Sequence, residues 1–181
     1  MEQFDEQKKI VTDLADTFSD MVNNVVEEHS EGLDQLMSDL NYQLTREESI
    51  STNAVERYYA ELTSLVYFLA SSLEKLNVFS DMSKANAKDV YNKAYLEACS
   101  EKDEKGKAVR TVAENTSIAE TKAQYSATVN TVYDHAYKTL RMKVDMAMEM
   151  ISTLKNILKK RMQEDYLNSQ VSAMKTNFEN E

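Results

Sequence analysis

The fold is decided by residues 111–166, TVAENTSIAE TKAQYSATVN TVYDHAYKTL RMKVDMAMEM ISTLKNILKK RMQEDY. This stretch opens with Thr111 and Glu114, spaced so that the threonine oxygen can accept the N–H three residues on while the glutamate accepts the threonine N–H. The chain has no proline, and no glycine follows Gly106. Because nothing in the backbone forces an earlier end, we predict one long amphipathic helix over residues 111–166, roughly 80 Å in length.

A regular apolar seam lies in the second half of this helix. Its members recur at steps of four, three, four, three and four, which is the heptad spacing of helices that pack side by side. The seam consists of Leu140, Val144, Ala147, Ile151, Leu154 and Leu158. Such a seam requires a partner helix, and we predict that it is the oligomer seam of a homo-oligomer.

The composition predicts an all-α fold. Two glycines, no proline and no tryptophan leave too few turn signals for a protein rich in sheet, and 42% apolar residues suffice to bury one core. We therefore expect an elongated helical bundle or coiled coil with one long C-terminal helix. Residues 167–181, where the periodicity weakens, are predicted to be a frayed tail.

Residues 1–100 are predicted to form an acidic region of three to four helices. A heptad seam of Phe4, Val11, Phe18 and Val25 opens this region. Gly32 is its best helix end, Thr45 to Glu48 form a second capping-box signature, and residues 80–83 interrupt the next seam. Residues 101–110 carry alternating charges and the second glycine, which predicts an exposed loop.

No enzyme signature is present in the sequence. Two glycines cannot build a phosphate-binding loop, and neither His29 nor His135 has a carboxylate three residues before it, as the helices of di-iron bundles do. Cys99 is the single cysteine, which excludes an intrachain disulfide and a zinc site built on several thiolates. We predict no catalytic residue, no metal site and no cofactor; a metal-dependent carboxylate enzyme is the least favoured of three hypotheses.

The N-terminus is acidic and the chain has no run of 18 apolar residues. A signal peptide would be basic and then apolar, and a membrane-spanning helix needs a long apolar run. We therefore expect a soluble, cytoplasmic protein that does not contact a membrane.

Charge is distributed unevenly along the chain. Residues 1–90 hold 7 basic and 18 acidic residues, a balance of -11, whereas residues 91–181 hold 14 and 13, a balance of +1. The segment from His135 to Arg161 contains seven basic residues and only two acidic ones. An acidic protein repels nucleic acid as a whole, but a local basic strip can bind phosphates where the acidic half faces elsewhere.

Tyrosines precede this basic strip, and tyrosine can stack on unpaired bases while lysine and arginine neutralise phosphates. The strip is therefore a candidate site for single-stranded nucleic acid, although most charge runs on long helices are only solvated faces. The candidate residues are Tyr137, Lys138, Arg141, Lys143, Lys155, Lys159, Lys160 and Arg161.

A resemblance to a known family rests on four stretches of residues 108–162. They are Arg110-Thr111-Val112-Ala113-Glu114, Lys122 to Tyr125, Tyr137-Lys138-Thr139-Leu140-Arg141 and Ile151-Ser152-Thr153-Leu154-Lys155. Together they resemble the C-terminal region of the UvsY-type recombination mediators of bacteriophages.

The resemblance implies a non-enzymatic, oligomeric protein that acts in the cytoplasm of an infected bacterium. Such a protein binds single-stranded DNA and helps to load a RecA-like recombinase onto strands coated by single-strand binding protein. The family's basic positions would fall on Arg141, Lys155, Lys159, Lys160 and Arg161. The alternative hypothesis is an acidic helical protein-protein interaction module that binds no nucleic acid: a virion or scaffold component, or an inhibitor whose carboxylates in residues 2–61 imitate phosphate.

Overall fold

A computed structural model describes residues 2–46, 50–102 and 104–178. It contains three helices, α1 (Glu2–Thr45), α2 (Thr52–Ser100) and α3 (Val112–Phe178). The described residues form no β-strand, and their one isolated bridge joins Lys102 to Ala108. The all-α helical bundle predicted from the composition is confirmed.

The chain forms two compact units, and each of the three helices contributes one segment to each unit. The first unit contains Met1–His29 and Ser71–Arg141, and the second contains Ser30–Ala70 and Met142–Glu181. Within each unit, packing of the three segments buries the apolar faces that none of them could bury alone.

In the first unit, α2 and α3 run antiparallel. Lys122 of α3 binds Glu97 of α2 at 3.0 Å, and Ser83, earlier in α2, donates to Asn130, later in α3, at 3.3 Å. Beside them, Val22 and Val26 of α1 form a buried cluster with Ala136 of α3.

Alanines fill the contact between α2 and α3 nearer the loop that joins them. The buried set is Ala94, Ala98, Ala119 and Ala123. Because alanine has the smallest side chain that still carries a Cβ, this set lets the two helix backbones approach closely. Asn115 lies in the same contact, and its Oδ1 is buried without a hydrogen-bond partner among the described residues.

The second unit has a core of leucine, valine and tyrosine. Its fully or almost fully buried side chains are Leu33, Leu40, Val55, Tyr58, Leu62, Leu69, Val144, Ala147 and Leu154. Lys143 of α3 contacts Asp34 of α1, and Arg161 contacts Thr52 at the start of α2. Since α2 follows the end of α1 after a short connection, these two contacts show that α1 and α3 run parallel here.

The predicted oligomer seam belongs to the core of the chain itself. Leu140 is buried in the first unit, Val144, Ala147 and Leu154 are buried in the second, and Ile151 and Leu158 are half-buried. Four of the six side chains are thus buried within the single chain and are not free to bind a second copy. The partner helices that the heptad spacing requires are present within one chain, which corrects the assignment of this seam to self-association.

The structure has two helices in residues 1–100 where the sequence predicted three to four. Gly32 lies inside α1, and Leu33 and Leu40 continue the buried face of that helix beyond it. A Cβ at Gly32 would lie 3.8 Å from the Leu65 side chain, an ordinary packing distance. Packing on both sides of the glycine thus outweighs its cost of about 1 kcal/mol in a helix.

The second predicted capping box is wrong. Thr45 is the last residue of α1, and its hydroxyl donates to the Asn41 carbonyl at 2.8 Å. Glu47 and Glu48 lie outside the described residues. The cap of α2 is instead Ser51, whose hydroxyl accepts the N–H of Ala54 at 3.2 Å. Residues 80–83 do not interrupt α2, which is continuous from Thr52 to Ser100; the Ser83 hydroxyl donates to the Ser80 carbonyl within the helix.

The capping box predicted at the start of α3 is present. The Thr111 N–H donates to the Glu114 carboxylate at 2.7 Å, and the Glu114 N–H donates to the Thr111 hydroxyl at 3.3 Å. The bond from the Thr111 backbone stabilises the charged carboxylate and lowers the pKa of Glu114. Gly106, in the preceding loop, has a φ of 75°, a conformation that favours glycine.

Helix α3 continues to Phe178, beyond the predicted end at residue 166. Residues 162–171 are all exposed. The heptad positions that follow Leu158 fall on Arg161, Asp165 and Asn168, which are polar, so the helix continues without an apolar seam to bury. Residues 167–171 of the predicted frayed tail are therefore helical and exposed.

Leu154→Ala tests the reassignment of the seam to the core. Because Leu154 is fully buried in the single chain, we expect the substitution to lower the free energy of unfolding by about 2–5 kcal/mol. Leu167→Ala, at an exposed position of the same helix, should change it by no more than about 0.5 kcal/mol. Urea denaturation followed by circular dichroism measures both, and equal effects would contradict the assignment.

Glu114→Gln tests the cap of α3. Since folding lowers the pKa of Glu114, its charge stabilises the folded state above the ordinary glutamate pKa of about 4.3 and loses that effect as the pH falls through the lower, folded value. The substitution removes the charge and keeps an acceptor oxygen. The difference in urea midpoint between wild type and variant should therefore shrink below about pH 4; a constant difference would show that the charge plays no part.

Candidate nucleic-acid interface

The predicted basic strip divides between the two units. Tyr137, Lys138 and Arg141 belong to the first unit, and the other five residues belong to the second.

The three residues of the first unit interact with their own helix. Lys138 donates to Asp134 one turn earlier at 2.6 Å, and the Arg141 guanidinium donates to the Tyr137 hydroxyl at 3.3 Å. Tyr137 is half-buried. Two positive charges remain exposed here, but one is already paired and the tyrosine ring is partly covered.

Lys143 belongs to a partly exposed polar cluster that joins two helices of the second unit. Its side chain is only 27% exposed, forms an ion pair with Asp34, and donates to the hydroxyl of Ser30 at 3.0 Å. Ser30 is fully buried and donates in turn to Asp34 at 2.8 Å. The hydroxyl of Ser30 is thus satisfied in both roles, and Lys143 connects α3 to α1 instead of pointing outward, which corrects its assignment to the nucleic-acid interface.

Arg161 also turns inward. It is half-buried, and its guanidinium donates to the Thr52 hydroxyl at 3.4 Å. The side chain thereby covers the start of α2 at the level where the apolar seam of α3 ends. Its role in the second unit is a packing role.

Lys155, Lys159 and Lys160 remain as the outward-facing cations of the second unit. All three are exposed, and among the described residues only Lys160 has an ion-pair partner, Glu164 at 3.9 Å. An exposed pair at that distance one turn apart contributes little, on the order of 0.3–0.5 kcal/mol.

Tyr166 extends this group and was not identified from the sequence. Starting from Lys155, steps of four, three and four lead through Lys159 and Met162 to Tyr166, so these four side chains share one face of α3. Tyr166 is 63% exposed, and its hydroxyl accepts from Gln170 at 2.7 Å, which leaves the ring face open. The signal that could have found it is this spacing, which continues beyond the residue where the apolar seam ends.

We call Lys155, Lys159, Lys160, Met162 and Tyr166 the C-terminal basic face; Lys160 lies about a third of a turn around the helix from the other four. It combines three exposed cations with one exposed aromatic ring, and residues 167–171, which follow, are exposed as well. Cations attract phosphate groups, and an aromatic ring can stack on any unpaired base. The chemistry of the face thus fits a flexible, single-stranded polyanion.

The remaining candidates for chemistry are dispersed. Among the described residues, no group of three or more histidine, cysteine, aspartate or glutamate side chains could hold a metal ion. The ring of His135 packs edge-on against Phe18 at 5.6 Å, and the exposed Cys99 accepts from Asn115 at 3.3 Å. Within the same described ranges, no helix combines the length and the apolar character needed to cross a membrane.

Comparison of the chain with protein-family models, with curated proteins and with solved structures finds no match.

Proposed function

We propose that the protein is a non-enzymatic, oligomeric accessory protein that binds single-stranded DNA through the C-terminal basic face. The observation that carries the proposal is the position of Lys155, Lys159 and Tyr166 on one exposed side of α3. This side adjoins residues 162–171, whose side chains are all exposed. The proposal agrees with the resemblance to UvsY-type recombination mediators of phages, which would place the protein in the cytoplasm of an infected bacterium.

The face supports contact with a short length of strand. Residues 155 to 166 span about 16 Å of helix. Three lysines and one stacking ring make a weak site on their own, and several such sites held in one oligomer would add up through their high effective concentration. Self-association therefore forms part of the proposed mechanism.

A protein partner completes this proposal. Exposed carboxylates of α1 in the first unit give the molecule an acidic surface that is separate in sequence from the basic face. They are Asp13, Asp16, Asp20, Glu27 and Glu28. In a mediator, this surface would bind a RecA-like recombinase or a single-strand binding protein and leave the basic face to the DNA.

Reversing the three lysine charges tests the DNA contact. The variant Lys155→Glu, Lys159→Glu, Lys160→Glu should lose measurable binding to a labelled single-stranded oligonucleotide in fluorescence anisotropy. For the wild type, three phosphate contacts predict that log K falls with log salt at a slope of about -2 for each bound face.

The control variant carries the same change of charge elsewhere. Lys75, Lys84 and Lys88 are exposed lysines of α2, and their replacement by glutamate should leave most of the affinity intact. Circular dichroism verifies that both variants keep their helices. Unchanged binding in the Lys155, Lys159, Lys160 variant, or equal loss in both variants, would reject the C-terminal basic face as the DNA site.

Tyr166→Ala tests the stacking contribution separately from charge. Removing one ring that stacks on a base should weaken single-strand binding by about 1–3 kcal/mol. Tyr166→Phe, which keeps the ring, should bind like the wild type, and neither variant should alter binding to duplex DNA, whose bases are already stacked. An alanine variant that binds the single strand normally would limit the contact to phosphates.

The second candidate function is an acidic helical interaction module without nucleic acid. The exposed α1 carboxylates favour it, because among the described residues none of the five forms an ion pair with a basic side chain. Such a surface would suit a virion or scaffold component, or an inhibitor that occupies a basic groove. Absence of binding to single strand and duplex at low salt would favour this function over the first.

A further inference from the structure

The first unit has an open groove beside α1 that the described side chains leave unfilled. The groove has a volume of about 740 Å³ and adjoins Phe18. Its floor consists of Ala87 and Tyr91 of α2 and Ala123 and Ala127 of α3. Small side chains at three of these four positions leave the space that a larger apolar residue could occupy.

Three threonines that line the groove use their hydroxyls within their own helix, and Gln124 is the one amide of the lining. Thr121, Thr128 and Thr131 donate their hydroxyls to carbonyls of their own helix at 2.8–3.0 Å. Glu120 is the one charged residue of the lining. The groove is therefore largely apolar, with a single negative charge at its edge.

An unpacked apolar arm lies on the same unit. From Lys8 to Thr17, every side chain of α1 that the structure describes is exposed, including Val11 at 63% and Leu14 at 65%. Val11 and Leu14 precede Phe18 by seven and four residues, so they continue the seam that α1 begins to bury at Phe18. We call residues 8–17 the arm.

The arm and the groove match in position along the helices. Val22 and Val26 of α1 pack against Ala136 of α3. About three turns earlier along both helices, the same register would bring Leu14 level with Ala127 and Val11 level with Gln124. It would also bring Lys8, which lies beside the apolar seam of the arm, level with Glu120 of the groove. These two side chains carry opposite charges.

The arm does not occupy the groove of its own chain because α1 is held straight. Phe18, Val22 and Val25 fix α1 against α3, and no glycine or proline occurs between residues 2 and 31. Sharp bends of helices occur almost always at such residues or at irregular turns. The rigid helix therefore keeps the arm exposed in the single chain.

We infer that the groove of one molecule receives the arm of a second copy, in a reciprocal dimer. Each copy supplies one arm and one groove, so the contact occurs twice around a two-fold axis. Val11 and Leu14 fill the space above Ala123 and Ala127, and Lys8 approaches Glu120. The inference supplies the self-association surface that the buried seam of α3 cannot provide.

The test measures the mass of the full chain in solution without nucleic acid, by sedimentation equilibrium. We expect the wild type to be a dimer and Leu14→Lys and Ala127→Lys each to raise the dimer dissociation constant by about 100-fold or more, since each change places a charge in both apolar contacts. Tyr67→Lys, at an equally exposed apolar position of the second unit, should leave the dimer intact.

Mixing the two variants distinguishes reciprocal exchange from other modes of association. The Leu14→Lys chain keeps an intact groove and the Ala127→Lys chain keeps an intact arm, so their mixture retains one of the two contacts. We expect a heterodimer weaker than the wild type and stronger than either variant alone. Circular dichroism verifies that the variants stay helical.

Three outcomes would overturn the inference: a monomeric wild type at protein concentrations on the order of 100 μM, a dimer that neither lysine substitution weakens, or a mixture no more associated than its components. Closure of the arm onto its own chain would give the first of these. Because no DNA is present, failure here leaves the proposed DNA contact to be decided by the anisotropy titration, and failure of that titration leaves the dimer standing.

Discussion

The structure depends on one uninterrupted hydrogen-bonded helix, α3, whose apolar face supplies the packing surface within each unit. In the first unit this face presents Ala119, Ala123 and Ala136, and in the second it presents Val144 and Leu154. Helices α1 and α2 each extend over more than forty residues, and most of the stability of helices in proteins comes from packing of an amphipathic face rather than from propensity. Burial against α3 is what stabilises them.

The same face explains where packing stops. At Arg161 the heptad position becomes polar, and the side chain turns to Thr52 instead of entering a core. Beyond Arg161, α3 remains helical, but the next heptad positions, Asp165 and Asn168, are polar and cannot form an apolar core. An exposed stretch of helix follows, and the C-terminal basic face spans this change: Lys155, Lys159 and Lys160 lie just before Arg161, and Met162 and Tyr166 lie just after it. The aromatic part of the surface proposed for DNA binding is therefore a result of the end of the seam.

Much of the fold could be predicted from the sequence because it follows from local rules. The scarcity of glycine and proline predicted an all-α chain, and the Thr111–Glu114 spacing predicted a cap that the structure contains. The partner of the seam could not be predicted. Heptad spacing shows which side of a helix is buried, but the spacing is the same whether the partner belongs to the same molecule or to another. Gly32 was misinterpreted for a related reason, since a local penalty cannot reveal the packing that offsets it.

The candidate site was only partly predictable, because a count of charges does not show which charges are already paired. Lys143 and Arg161 looked equivalent to Lys155 in the sequence. Their partners, Asp34 and Thr52, lie 109 residues away in the chain and come close only through folding. Tyr166 could not be identified for a different reason: it is the last residue of the predicted helix, where the apolar periodicity weakens, and nothing in that pattern marks an exposed functional side chain.

The arrangement of the helices also bears on the order in which they assemble. Contacts between α2 and α3 join residues as close as 16 positions apart, such as Cys99 and Asn115, whereas contacts between α1 and α3 join residues such as Ser30 and Lys143, which are 113 positions apart. Closing a longer loop costs more chain entropy, and non-local contacts slow folding. The α2–α3 pair can thus form as a local hairpin, while α1 docks onto a surface that is complete only after α3 has been synthesised. During translation, α1 emerges from the ribosome first and cannot contact α3 until that last helix has been synthesised.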